Sequence, residues 1–137
     1  MNIEKFLPYW HQGRRYVNRF ELNIPRSSDI ESWQHPNQQG DVSRPDGHEI
    51  LRVLETQHLH QVIGLATLLH FLQNPKLRPS NFQSIHMCGW LDVVYGPYGG
   101  RLFVPTLTPV SCGATIHWMD LNSGFNCLDA VPLRIKP

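Results

Sequence analysis

The sequence shows no excess of either charge, no long apolar run and few cysteines, and each shortage removes a class of function. Formal net charge is +1, so no overall field draws the chain to nucleic acid or to an anionic membrane. The apolar-rich stretch at residues 62–72 falls short of the ~20 residues that span a bilayer as a helix. The three cysteines, Cys88, Cys112 and Cys127, are odd in number and widely spaced. That argues against a disulfide framework and for a reducing, cytoplasmic compartment. No basic-then-apolar beginning suggests a signal peptide. Internal repeats, low-complexity tracts and a second domain are missing too, so residues 1–137 read as a single domain. A chain of this length buries a core without metals or disulfides.

What is present is one long apolar helical pattern followed by strand-like sequence. Residues 46–74 read as a single helix. Asp46 stands three residues before Glu49, a capping-box spacing, and the Asn74-Pro75 step ends the pattern. Val62, Ile63, Leu65, Ala66, Leu68, Leu69, Phe71 and Leu72 are apolar on nearly every face, which marks a buried helix. Ahead of it, residues 14–24 alternate as a half-buried strand does, with Phe20, Leu22 and Ile24 against Glu21 and Asn23. Residues 26–45 read as a long polar loop, a type that is usually functional or mobile. Behind the helix, residues 82–95, 101–107, 114–121 and 127–135 read as an antiparallel meander, with Pro105 marking an edge or bulge. The expected fold is therefore α+β, with a curled antiparallel sheet wrapped around one central helix. A cystatin-like sheet laid over a helix is the rival arrangement.

The order strand, long loop, buried helix and four strands, with the segment His35 to Gln61, resembles the hotdog superfamily of thioesterases and dehydratases. In those proteins a histidine precedes the central helix, a Pro-Gly-like turn opens it, and an acidic residue lies within it. Here His35 or His48, the turn Pro45-Asp46-Gly47 and the run Val53-Leu54-Glu55-Thr56 hold similar places. Asp46 separates the proline from the glycine, and Leu59 stands where a glutamine is usual. The resemblance implies an acyl-thioester substrate, a homodimer, and a site of Glu55 with His48 and His35. The residues themselves suggest no cofactor and no metal. The chemistry is coherent. Burial raises a glutamate toward general-base range, and backbone N–H groups at a helix start polarise a thioester carbonyl. The plainer reading pairs Glu55 with Arg52 or His58. A dimer would dock through the first strand's edge or the Pro105 region.

His58 and His60 diverge on a helix, and His48-Glu49 is followed by Arg52 rather than the second histidine of a zinc-binding HExxH motif. His86 and Cys88 would share one side of a strand and, with Cys112 and His117, outline a zinc site. No CxxC knuckle supports it. Cys112 or Cys88 with His117 and Asp120 could form a thiol nucleophile site, although neither cysteine precedes a helix, which would activate it. The turn Gly96-Pro97-Tyr98-Gly99-Gly100 reads as a hairpin rather than a phosphate loop, since no helix follows it. Tyr9, Trp10, Arg14, Arg15, Tyr16, Arg19 and Phe20 mix cations with rings, as nucleic-acid-binding strands do. A binding or regulatory module using that strand and the long loop is the alternative function.

Overall fold

The computed structural model describes residues 3–14, 21, 23–39, 44–97, 100–111 and 113–135. It is an α+β structure with two helices and a mixed sheet. The strands are β1 (Ile30–Trp33), β2 (His86–Cys88), β3 (Val94–Tyr95), β4 (Leu102–Val110), β5 (Gly113–Asp120) and β6 (Asp129–Arg134). The helices are α1 (Gly47–Gln57) and α2 (Leu65–Gln73).

The single helix expected over residues 46–74 is thus two. Asp46 does cap α1, accepting from Glu49 N at 3.0 Å. The helix stops at His58, whose N–H still reaches Leu54 O. The chain then turns, and Val62 bridges to Leu133 of β6. Val62 and Ile63 are β-branched and suit extended backbone. Gly64 resets the chain to start α2. An unbroken apolar run does not separate helix from strand by periodicity alone, and here it conceals an extended step.

The two helices differ in kind. α1 buries one stripe, Gly47, Ile50, Leu51 and Leu54, at the i, i+3, i+4, i+7 spacing of a surface helix. α2 is apolar nearly all round because it is covered from two sides. Leu68 and Phe71 pack with Met87, Leu107 and Ala130 of the sheet. Leu65 and Leu69 pack with Leu7, alongside Ile3 and Trp10 of the N-terminal segment. The burial expected from its sequence holds, but the sheet does not curl around it.

Strand register puts the helices on opposite faces. Met87 pairs with Leu107, and Leu107 with Ile116, and this row meets α2. The alternate residues Cys88, Val104, Met119, Val131 and Leu133 share a cluster with Ile50, Leu51 and Leu54 of α1. α1 covers only one end of its face. Towards the other end the same alternation brings His86, Thr106, Thr108, Thr115, His117 and Asp129 side by side. Thr115 and His117 there are exposed.

The sheet is not a meander. β4 and β5 form a hairpin, but β6 lies between β1 and β2 and runs parallel to β2. The strand expected at 82–95 leaves the sheet between β2 and β3 through one 3-10 turn, Trp90–Asp92. β1 falls inside the stretch expected to be loop. The strand expected over 14–24 lies largely outside the described residues; Arg14 makes an isolated bridge to Val94. Pro105 is buried in β4, between β5 and the β2–β3 chain, so it marks neither an edge nor a docking surface.

Two substitutions test this packing. Leu65, fully buried, should lose about 2–5 kcal/mol on replacement by alanine. Gly47 N–H donates to Leu121 O at 2.6 Å, and a Cβ there would sit 2.7 Å from Leu121 Cα. Gly47→Ala should therefore cost about 1–3 kcal/mol by overpacking, despite alanine's better helix propensity. Urea denaturation checks both, and a stabilised Gly47→Ala would contradict the close approach.

Candidate functional site

The open end of the α1 face carries a histidine oriented by a buried carboxylate. His86 Nδ1 lies 2.9 Å from Asp129 Oδ1, and the Asp129 side chain is 5% exposed. A carboxylate only accepts, so Nδ1 is the nitrogen that donates and Nε2 is turned away from Asp129. Asp129 is itself held firmly. Its Oδ2 accepts from Asn126 N at 3.0 Å. Its main-chain oxygen accepts from Gln38 Nε2 at 2.6 Å and Gln34 Nε2 at 3.2 Å. Gln38 is buried and also accepts from His35 N at 2.8 Å. The segment expected to be a long polar loop therefore braces the start of β6.

His117 stands across β4 from His86, the rings edge-to-face with centroids 6.5 Å apart. Its Nδ1 lies 3.0 Å from the Thr108 hydroxyl. Partial burial pushes the His117 pKa down, the neighbouring His86 pushes it further, and Asp129 opposes both. His117 is therefore neutral at neutral pH and exposed to solvent. Cys88 lies on the same face, with Thr106 Oγ1 3.7 Å from its sulfur. Burial, with Asp129 second, pushes the thiol up. It is a core thiol, not a thiolate nucleophile.

The expected catalytic residues are placed elsewhere. His48 is exposed and pairs with Asn122 Oδ1 at 2.8 Å. His35 is buried, with Nε2 3.4 Å from Glu49 Oε1. The two histidines thus go to different partners. Glu55 is half-buried on the flank of the α1 stripe. The premise of a glutamate inside a helix buried all round fails, because α1 buries one side only. Arg52 turns to Glu49 instead of Glu55, at 2.7 and 3.0 Å, and holds that carboxyl down at about 2. His58 Nδ1 pairs with Gln61 Oε1 at 2.8 Å.

Of the zinc outline, His86, Cys88 and His117 do share one sheet face, while Cys112 lies outside the described residues. No group of three or more His, Cys, Asp or Glu is placed to hold a metal ion among the described residues. The proposed thiol site is not assembled either, since β5 alternation sends His117 and Asp120 to opposite faces. Asp120 meets Arg101 at 3.1 Å. In the glycine turn, Gly96 N–H closes onto Arg101 O at 2.8 Å, as in a hairpin, with Tyr98 and Gly99 outside the described residues. The cation-and-ring stretch at 15–20 also lies outside them. Asp129 was missed because its partnership with His86 depends on a parallel pairing that local sequence does not announce.

A second polar cluster caps α2. Glu21 accepts from Thr67 N at 3.2 Å and from the Thr67 hydroxyl. Asp92 accepts from Leu65 N at 2.6 Å. Arg14 lies 3.5 Å from Asp92, and Arg134 lies 4.0 Å from Glu21. A Cβ at Gly64 would press on both carboxylates, so glycine is required where they converge. Burial raises the Glu21 pKa, against hydrogen bonds from Thr67 and Gly64 that lower it. Both acids satisfy helix N–H groups that would otherwise be unpaired, which makes this cluster structural.

No family model matches the chain, and no curated protein or solved structure matches it either. No helix among the described residues is long and apolar enough to cross a membrane.

Two measurements follow from these environments. In an NMR titration His117 should have a midpoint below the ordinary histidine value of about 6.5. The midpoint should move up in His86→Ala and down in Asp129→Asn; three equal midpoints would dissolve the coupling. A histidine depressed in the fold binds fewer protons there than when unfolded, so its stabilising share is present above the unfolded value and is lost as pH falls from there through the lower folded one. Glu21 has the opposite linkage. Its raised pKa means the fold binds more protons, so its share of stability is full below the ordinary glutamate value and is lost as pH rises from there through the higher folded one. Glu21→Gln should flatten that slope, whereas Glu21→Ala should cost about 1–3 kcal/mol by stripping Thr67 of its acceptor. Denaturation at several pH values separates the two variants.

Proposed function

We propose that the protein is a general acid–base catalyst acting at the open end of the α1 face, with His86, Asp129 and His117 as its working groups. The observation that carries this reading is the His86–Asp129 hydrogen bond, made by a buried and multiply braced carboxylate beside a second, neutral imidazole. A carboxylate behind an imidazole fixes its tautomer and ring orientation, and so aims one basic nitrogen outward. Two imidazoles in unlike electrostatic surroundings are a common basis for dividing proton-transfer roles.

The reaction class is hydrolysis of an ester-type bond. Water attacks the acyl carbon, or the phosphorus of a phosphodiester, and His86 Nε2 takes the proton that the attacking water loses. The same proton then passes from Nε2 to the departing oxygen or sulfur, which leaves His86 neutral again. His117, neutral beside it, is the second acceptor. The acyl-thioester substrates implied by the sequence resemblance remain the first class to assay, now with a site on the sheet instead of the helix. Thr108 and Thr115 add hydroxyl groups to the same surface.

A hydrolysis panel of acyl-CoA thioesters, aryl esters and phosphodiesters tests this proposal. Turnover of one class is expected, with His86→Ala and His117→Ala each lowering kcat/KM by about 10²–10⁴-fold and leaving the circular dichroism spectrum unchanged. Asp129→Asn should lower kcat as well. Thioester turnover that survives His86→Ala but is lost in Glu55→Gln would return the site to α1. Failure to turn over any of the three classes would overturn the hydrolase reading.

A further inference from the structure

Among the described residues the sheet has one long edge whose only charge is a carboxylate at its end, Asp120. β1, at one side, is four residues long and includes Glu31. β3 is two residues long. β5 is eight residues long and pairs only with β4 among the described residues. Its sequence, GATIHWMD, contains no proline, lysine or arginine and is rich in good strand formers. Natural edge strands are normally short, charged, bulged or covered.

The direction of its free backbone groups follows from the hairpin. Leu121 N–H donates to Leu102 O, so the odd residues of β5 turn their N–H and C=O toward β4. Ala114, Ile116, Trp118 and Asp120 turn theirs outward. An antiparallel ladder against a second β5 pairs all four of these residues in one register, the one centred on His117. Ile116 then faces Trp118 of the partner subunit, and Ala114 faces Asp120 of the partner subunit. The aromatic and β-branched pair occurs twice, and such cross-strand pairs stabilise a ladder. The single carboxylate of the strand meets an alanine, so no like charges oppose each other there.

We infer that β5 is a homodimer interface, at which two copies of this chain join edge to edge into one continuous sheet across a two-fold axis through His117. The occupant is a second copy because the strand complements itself: Ile116 and Trp118 are symmetric about His117, and every outward donor meets an outward acceptor. His117 lies opposite His117 of the partner subunit in a pair without hydrogen bonds, with Cα atoms about 4.5 Å apart. The two polar half-faces adjoin across the axis. The groups facing His117 within one chain are His86 of β2, Thr108 of β4 and Asp129 of β6. The inference stands on the strand edge and does not depend on the acid–base reading.

Sedimentation at neutral pH and micromolar concentration tests it. The parent chain should behave as a dimer. Ala114→Pro removes one outward N–H and leaves the β4 ladder intact, so it should give a monomer with an unchanged circular dichroism spectrum. Thr115→Lys, which adds charge to the exposed edge, should do the same and guards against misfolding of the proline variant. His117→Cys in a Cys112→Ser, Cys127→Ser background should form a disulfide-linked dimer on oxidation, since the expected Cα separation lies within disulfide range. A strictly monomeric parent, or a dimer unaffected by both edge variants, would overturn the interface. A dimer that dissociates in the edge variants but never cross-links through residue 117 would overturn the register.

Discussion

Backbone hydrogen bonding across β2 is the constraint on which the rest of the molecule depends. β2 is three residues long, yet it joins the β6–β1 half of the sheet to the β4–β5 half. Met87 and Cys88 pair with β4, while His86 and Met87 pair with β6. Past Cys88 the halves part. Val62 takes over beside β6, and the chain beyond Gly89 continues beside β4. A split sheet leaves backbone donors to satisfy, and two prolines reduce their number. Gly89 N–H reaches Pro105 O, which shows that Pro105 faces β2. Arg134 N–H reaches Gln61 O, so Pro132, on the same parity, faces the split as well. At both places the residue that would lack a partner has no N–H. Trp90, fully buried against Phe125, packs in this region. Ile63 O accepts from Leu91 N at 2.9 Å and ties the two sides together.

The sequence disclosed the local features and concealed the long-range ones. The Asp46 cap, the helix end at Asn74, the β4–β5 hairpin and the last strand were legible because each is written in neighbouring residues. The break at residues 58–64 was not legible, because an extended step of apolar β-branched residues and a run of buried helix have the same composition. The prolines of β4 and β6 point away from a central strand in any local reading, and only the split explains them. β1 was hidden in polar sequence because a four-residue edge strand buries only Ile30.

The candidate site was half visible. His86 and Cys88 share a side by strand alternation, and His117 was named with them, although for metal or thiol chemistry. Their partner Asp129 comes from the parallel β2–β6 pairing, which no spacing rule predicts. Of the residues favoured around the helix, Glu55 rests on the premise of a helix buried on all sides, while His48 and His35 rest on the resemblance alone. Burial on α1 is one-sided, so that premise has no counterpart, while the all-round burial belongs to α2, which carries no acidic residue.

The pairing of β1 with β6 has a consequence for biosynthesis. Ile30 meets Arg134 and Trp33 meets Val131, so β1 leaves the ribosome about a hundred residues before its partner, a separation that makes this ladder slow to close. Until β6 is made, Gln34 and Gln38 have no β6 carbonyls to hold, and His86 has no Asp129. The brace and the histidine pair therefore form only after β6 has been made. A nascent chain stalled before Asp129 would hold both helix sequences and most of the sheet, and still have no oriented imidazole.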